Sequence, residues 1–150
     1  MPYAKDCKHL NIRAPQKRGA RGFTLIELML TITVLAIFLS IAVPSFGRLI
    51  ENNRVTASAN ELHALLLAAR SDAVTKRTKI TVTQSNNIWS SGDRSVDIPN
   101  GVEVTPSVTS IEFNPNGTAT VSSTTLSNSD DSLSFTISTQ AVGFIRKTQD

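Results

Sequence analysis

Few side chains in this 150-residue chain are of a type that carries out chemistry. His9 and His63 are its two imidazoles, Cys7 is its one thiol, and Asp130-Asp131 is its one pair of neighbouring carboxylates. A general base or an activated nucleophile needs a second group within hydrogen-bond reach. His9 lies in a basic N-terminal stretch, and His63 has no second histidine or cysteine near it in the sequence. No glycine-rich nucleotide loop, no HExxH or Cys/His metal spacing and no GxSxG elbow occurs. A single cysteine supports neither an internal disulfide nor a thiolate cage. These residues point away from an enzyme, and no cofactor or metal is expected. The ionisable residue that does need an explanation is Glu27.

Glu27 is the only ionisable side chain between Phe23 and Phe46, in the stretch FTLIELMLTITVLAIFLSIAVPSF. As a helix this stretch reaches roughly 36 Å, enough for a hydrocarbon core of about 30 Å. A charge at the centre of a membrane helix costs on the order of 3 kcal/mol, less near an end, and a buried carboxylate needs a partner. Residues 1–22 carry Lys5, Lys8, Arg13, Lys17, Arg18 and Arg21 against Asp6, a net +5, whereas the remainder of the chain is −2. The overall charge of +3 is therefore a property of the tail, and a global electrostatic case for nucleic-acid binding fails. By the positive-inside rule the N-terminus is cytoplasmic and the C-terminal part lies outside. A secretory signal peptide, with a small-x-small site at Ser40-Ile41-Ala42, and a plain single-pass anchor both fit the apolar run, but neither accounts for Glu27. Cleavage between Gly22 and Phe23 would place a new α-amino group one helical turn from this carboxylate, in the same chain or a neighbour.

Arg21-Gly22-Phe23-Thr24-Leu25-Ile26-Glu27-Leu28 resembles the class III signal sequence of type IV prepilins, a basic leader ending in Gly, then Phe, then Glu four residues later. The resemblance implies that a membrane peptidase cleaves after Gly22 and methylates Phe23, and that Glu27 is the assembly carboxylate that helps dock the subunit into a filament. Pro44 falls where such pilins often bend their long helix. Proline removes an intrahelical hydrogen bond, so the alternative is that the helix ends there. Helical periodicity that resumes beyond it favours a kink.

After Gly47, Leu62, Leu65, Leu66, Ala69 and Ala73 recur at spacings of three and four, the apolar face of an amphipathic helix, with Glu61, Arg70, Asp72 and Lys76 on its flanks. The helix is expected to stop near Lys76 and Arg77, where positive charge complements its dipole. Short β runs follow: 79–83, 102–105, 110–113, 118–121, 133–138 and 142–146. Pro99-Asn100-Gly101 and Pro115-Asn116-Gly117 supply tight turns between them. Asn116-Gly117-Thr118 also fits a glycosylation acceptor, although a turn explains it without sugar. Ser122 to Ser132 reads as a polar surface loop, and Ser90 to Val96 as an irregular stretch. An antiparallel sheet on the apolar face of the helix is the expected body.

The segments ANELHALLLAARSDAVTKRTKITVT, IEFNPNGTAT and VGFIRK are similar to the GspH/FimT family of minor pseudopilins, a likeness covering most of residues 19–147. DNA-uptake members of that family carry a Gly-Arg-x-Arg pattern near the C-terminus, which falls here on Gly143, Phe144, Ile145 and Arg146. Phe144 replaces the first arginine. Residues two apart on a strand share a face, so Arg146 would stand beside an aromatic ring, with Lys147 pointing the other way. Arg146 could hold a phosphate while Phe144 stacks on an unpaired base. The alternative is that Phe144 packs in the core and Arg146 with Lys147 forms a solvated strand end. Lys76, Arg77 and Lys79 form a second basic cluster with the same ambiguity.

The chain is thus expected to be α+β with a pilin fold: a cleavable leader at 1–22, a membrane and assembly helix at 23–46, an amphipathic helix at 47–77 and a β-rich periplasmic head at 78–150. The expected function is that of a minor pilin of a type IV pilus, FimT-like, acting in pilus biogenesis and open to a part in DNA uptake. The first alternative is a GspH-like minor pseudopilin of type II secretion, and the second a DNA-binding module at a pilus tip. Expected partners are other pilin or pseudopilin subunits, the prepilin peptidase, the bacterial inner membrane and, weakly, DNA.

Overall fold

The computed structural model of the protein describes residues 22–150, so the leader and its Cys7 and His9 lie outside the described residues. Among the described residues there is one helix, α1, at Leu25–Lys76. Eight strands follow: β1 Ile80–Ser85, β2 Ile88–Ser91, β3 Arg94–Asp97, β4 Val102–Pro106, β5 Ser110–Phe113, β6 Ser122–Asn128, β7 Ser134–Thr139 and β8 Ile145–Gln149. The chain divides into two units, the first ending at Leu39 and the second running Ser40–Asp150.

In the first unit the helix is long and apolar enough to cross a membrane, and none of that window is buried within the chain. Phe23, Leu25, Ile26, Met29, Ile37 and Phe38 are all exposed. Apolar side chains presented all round a helix have no core of their own to enter, and lipid or other helices are the surroundings that suit them.

In the second unit α1 runs through Pro44 and on to Lys76, so the alternative in which Pro44 ends the helix is excluded. The expected stop is met by a specific device. Arg77 takes a left-handed backbone (φ 50°), and the Thr78 N–H donates to the Ala73 carbonyl at 3.2 Å. That six-to-one bond is the closure of a Schellman motif, with arginine where glycine is usual. The predicted apolar face, Leu62, Leu65, Leu66, Ala69 and Ala73, is buried, and Val55, Ser58 and Ala59 extend the buried stripe toward the N-terminal side.

The body is two antiparallel four-stranded sheets, where one sheet was expected, with orders β3-β2-β1-β5 and β4-β6-β7-β8. Their inner faces and the helix share one core, in which Trp89, Phe113, Leu126, Ile137 and Leu62 are almost fully buried. Burying each such side chain contributes about 1.5–3 kcal/mol. Two readings of polar sequence are corrected. Ser122–Asn128 is an interior strand paired on both sides, Leu126 facing Val104 of β4 and Phe135 of β7, with Ser122, Thr124, Leu126 and Asn128 buried. Pairing on both edges satisfies its backbone, and alternation places its small hydroxyl residues inside. Residues 90–96 contain the β2–β3 hairpin, turned by Gly92 at φ 58°. The expected strand at 118–121 is reduced to a single bridge between Phe113 and Ala119. Gly101 and Gly117, at φ 93° and 85°, occupy the turns expected of them.

Candidate functional site

Gly22 and Phe23 precede the helix and are exposed, Phe23 by 82%. Thr24 caps it: its hydroxyl oxygen accepts the Glu27 N–H at 3.3 Å, and its carbonyl accepts the Leu28 N–H at 3.1 Å. Glu27 is therefore the third helical residue, where a carboxylate meets the positive end of the helix dipole. Thr24-x-x-Glu27 is a capping-box spacing, a local signal present in the sequence that the reading of Glu27 as an assembly residue had passed over. The local geometry gives Glu27 a favourable field with or without a partner chain. It also fixes the helix start immediately after the Gly22-Phe23 junction.

At the other end of the chain, Gly143 turns β7 into β8. It has φ 75°, its N–H donates to the Gln140 carbonyl at 2.7 Å, and the Gln140 N–H donates to the Phe144 carbonyl at 2.9 Å. A Cβ at Gly143 would lie 1.9 Å from the Gly117 carbonyl oxygen and 2.9 Å from Arg70 Nε. A close approach of two backbones thus explains this glycine independently of any ligand. Phe144 is 52% exposed, which overturns the reading that packs it in the core. Ile145 is the core residue of β8, while Phe144 just before the strand and Arg146 within it are both exposed. Lys147 points the other way, as expected: its ammonium donates to Asn60 Oδ1 on α1 and lies 5.1 Å from the centre of the Phe135 ring. Packing on the helix and the ring thus engages this side chain.

The second basic cluster is largely neutralised. Lys76 pairs with Asp72 and Lys79 with Glu112, each at 3.1 Å. His63 is half-buried on the helix, and among the described residues no three His, Cys, Asp or Glu side chains converge as a metal site would require. Asn116 Oδ1 accepts from both the backbone N–H and the hydroxyl of Thr118, at 3.1 and 2.7 Å, so the acceptor-like triplet is a side-chain-stabilised turn.

Comparison with known proteins agrees with this architecture. Residues 17–43 match the prokaryotic N-terminal methylation motif, and residues 58–143 match the type II transport protein GspH. Two fimbrial proteins of Pseudomonas aeruginosa are each 37% identical over 54 residues, 36% of this chain and 35% of theirs, so the chain spans about a third of the length of these curated relatives. Among solved structures, the type IV minor pilin FimU of P. aeruginosa superposes with a TM-score of 0.55 at 22% identity, over 62% of this chain and 91% of that one. The minor pseudopilin EpsH from the type 2 secretion system of Vibrio cholerae gives 0.56 at 11%, over 63% and 96%. At such identities the likeness speaks for the fold: a long N-terminal helix packed on antiparallel sheets. With the GspH match covering more than half of the chain and the methylation motif preceding it, the protein belongs to the GspH family of type IV pilin-like minor pilins and pseudopilins, a family of structural, non-enzymatic subunits.

Proposed function

We propose that this chain is a minor pilin of a type IV pilus, inserted in the inner membrane and cleaved after Gly22. The new N-terminal Phe23 is methylated, and the subunit is drawn into a filament through its apolar helix. One observation carries the reading: a helix whose first turns expose apolar side chains on every side holds Glu27, the one ionisable residue between Phe23 and Phe46, at the third helical position, just beyond the expected cleavage point. In lipid that carboxylate is costly, whereas in a bundle of like helices it meets the freed α-amino group of Phe23. Pro44 would let the helix bend as it leaves the membrane. The fimbrial relatives support the pilus over the alternative, a pseudopilin of type II secretion.

Glu27→Ala is expected to leave the protein membrane-inserted and processed but poorly recovered in sheared filaments. Intact mass of the mature wild-type protein should show loss of 22 residues and one added methyl group. A chain still beginning at Met1, or normal incorporation of the alanine variant, refutes the reading.

A second reading, DNA contact, is favoured by the exposure of both Phe144, just before β8, and Arg146 within it. It calls for an electrophoretic mobility shift that salt suppresses and Arg146→Ala abolishes, and no shift at low salt removes it.

A further inference from the structure

The tripeptide Pro-Asn-Gly occurs twice, at Pro99-Asn100-Gly101 and Pro115-Asn116-Gly117. Asparagine before glycine carries a chemistry of its own, because the unhindered backbone nitrogen that follows can attack the carboxamide carbon and close a five-membered imide. The fold treats the two sites oppositely. At the second, the Asn116 carboxamide oxygen accepts from the Thr118 N–H and hydroxyl, and the nitrogen that would attack is engaged, the Gly117 N–H donating to the Asn114 carbonyl at 2.9 Å. The same turn is tied by the Asn114 N–H to the Thr118 carbonyl at 2.8 Å and by the Asn114 amide to the Thr118 hydroxyl at 3.0 Å. At the first site Pro99, Asn100 and Gly101 are all exposed. Among the described residues no hydrogen bond engages the Asn100 carboxamide or the Gly101 N–H. One bond closes that turn, from the Val102 N–H to the Pro99 carbonyl, at 3.3 Å. A Cβ placed on Gly101 would meet nothing within 4 Å, so nothing crowds the space a ring would fill.

We propose that Asn100 is a modification site, where the chain deamidates and forms isoaspartate without an enzyme, and that the fold protects Asn116 from the same reaction. Once the single long turn bond opens, rotation about the Asn100 Cα–C bond brings the Gly101 nitrogen to Cγ. The nitrogen gives up its proton to base, the N–Cγ bond forms, the Cγ–Nδ2 bond breaks, and Nδ2 leaves as ammonia. Water then opens the imide. Addition at Cγ gives aspartate, and addition at the backbone carbonyl gives isoaspartate, whose main chain runs on through Cβ and Cγ. Ile98 and Val102, 1% and 5% exposed, anchor both ends of the turn in the core, so its tip opens without unfolding of the head. At Asn116 several further bonds must break together, which slows the reaction at least about tenfold. Either product adds a carboxylate between Asp97 and Glu103, where the chain crosses from β3 in one sheet to β4 in the other.

The test incubates the detergent-solubilised full chain at mildly alkaline pH and digests samples at acid pH, where the reaction is slow. Peptide mass spectrometry reads the amide-to-acid exchange, and labelling by protein isoaspartyl methyltransferase reads the isoaspartate. In the folded chain the peptide holding Asn100 is expected to convert at least about tenfold faster than the one holding Asn116. In urea the two rates should come within a few-fold of each other, because the tripeptides are identical and only the fold tells them apart. Asn100→Gln should remove the isoaspartate label from its peptide, since glutamine would have to close a larger ring. Thr118→Val takes away the hydroxyl that ties Asn116 to its turn and should raise the Asn116 rate several-fold, while Thr118→Ser keeps the hydroxyl and the protection. Emission from the buried Trp89 verifies that both variants are folded. Equal rates at the two sites in the folded chain, or an Asn100 that stays intact while the urea-unfolded chain converts, overturns the proposal. So does a ratio that urea leaves unchanged, or an Asn116 as slow in folded Thr118→Val as in the wild type.

Discussion

Gly143→Ala should be among the most destabilising single-methyl changes in the head domain. The added carbon would lie 1.9 Å from the Gly117 carbonyl oxygen, where carbon and oxygen ordinarily come no closer than about 3.3 Å. Relief requires the Gly117 carbonyl to retreat by about 1.4 Å, and that turn is held by the Asn114 N–H to the Thr118 carbonyl at 2.8 Å and the Gly117 N–H to the Asn114 carbonyl at 2.9 Å. Losing both bonds costs about 2 kcal/mol, and a side chain at φ 75° adds about 1–2 kcal/mol, for a total of about 3–4 kcal/mol. Gly92→Ala is the control. It has a left-handed backbone too, but nothing within 4 Å of the added carbon, so only the conformational term of about 1 kcal/mol applies. Trp89 is the only tryptophan and is fully buried, so its fluorescence reports urea unfolding of the detergent-solubilised chain. Equal losses for the two variants, or a loss under 1 kcal/mol at Gly143, would refute the close-approach argument and return this glycine to a ligand-binding role.

Arg77→Gly should raise stability by about 1 kcal/mol in the same assay, because it removes a non-glycine residue from the left-handed closure of α1; destabilisation would mean that the arginine side chain contributes more than its backbone costs. Asn128→Ala should cost about 2–3 kcal/mol, since its amide donates to Asn52 Oδ1 and Ser132 Oγ while its oxygen accepts the Leu133 N–H. A thermal shift indistinguishable from wild type would remove that role. Bonds from Ser132, the side chain first and then the backbone N–H, hold the Asp130 carboxyl below its ordinary value. The small stability this gives is complete above the ordinary carboxylate range and is lost as pH falls through the depressed value. An NMR titration should show the Ser132 amide moving only at that acid end, and movement between pH 5 and 7 would contradict it.

The helix was legible because its signals are one-dimensional. An unbroken apolar run needs no partner to be read, and Leu62, Leu65, Leu66, Ala69 and Ala73 fall on one face by spacing alone. The turns at Gly101 and Gly117 were legible for a similar reason, since left-handed backbone demands particular residues. What escaped depends on neighbours far away in the chain. SSTTLSN carries one large apolar side chain, and becomes an interior strand only because β4 and β7 take both of its edges. At the candidate site, Gly22, Phe23 and Glu27 declare themselves by order along the chain. The role of Gly143 could not, because what demands a glycine there is the Gly117 backbone. The exposure of Phe144 was not readable, because the sequence placed it inside a strand at 142–146 whereas β8 begins at Ile145.

The strands do not fill one sheet and then the other. β1, β2, β3 and β5 belong to the first and β4, β6, β7 and β8 to the second, so the chain passes between the sheets three times before it ends. No single cut separates two self-sufficient halves, and cooperative unfolding of the head as one body is the natural outcome. The terminal strand is also the one that sends Lys147 back to Asn60, 87 positions earlier. That part of the helix stays bare until β8 is in place, so a chain without β8 would be left with an unclosed seam.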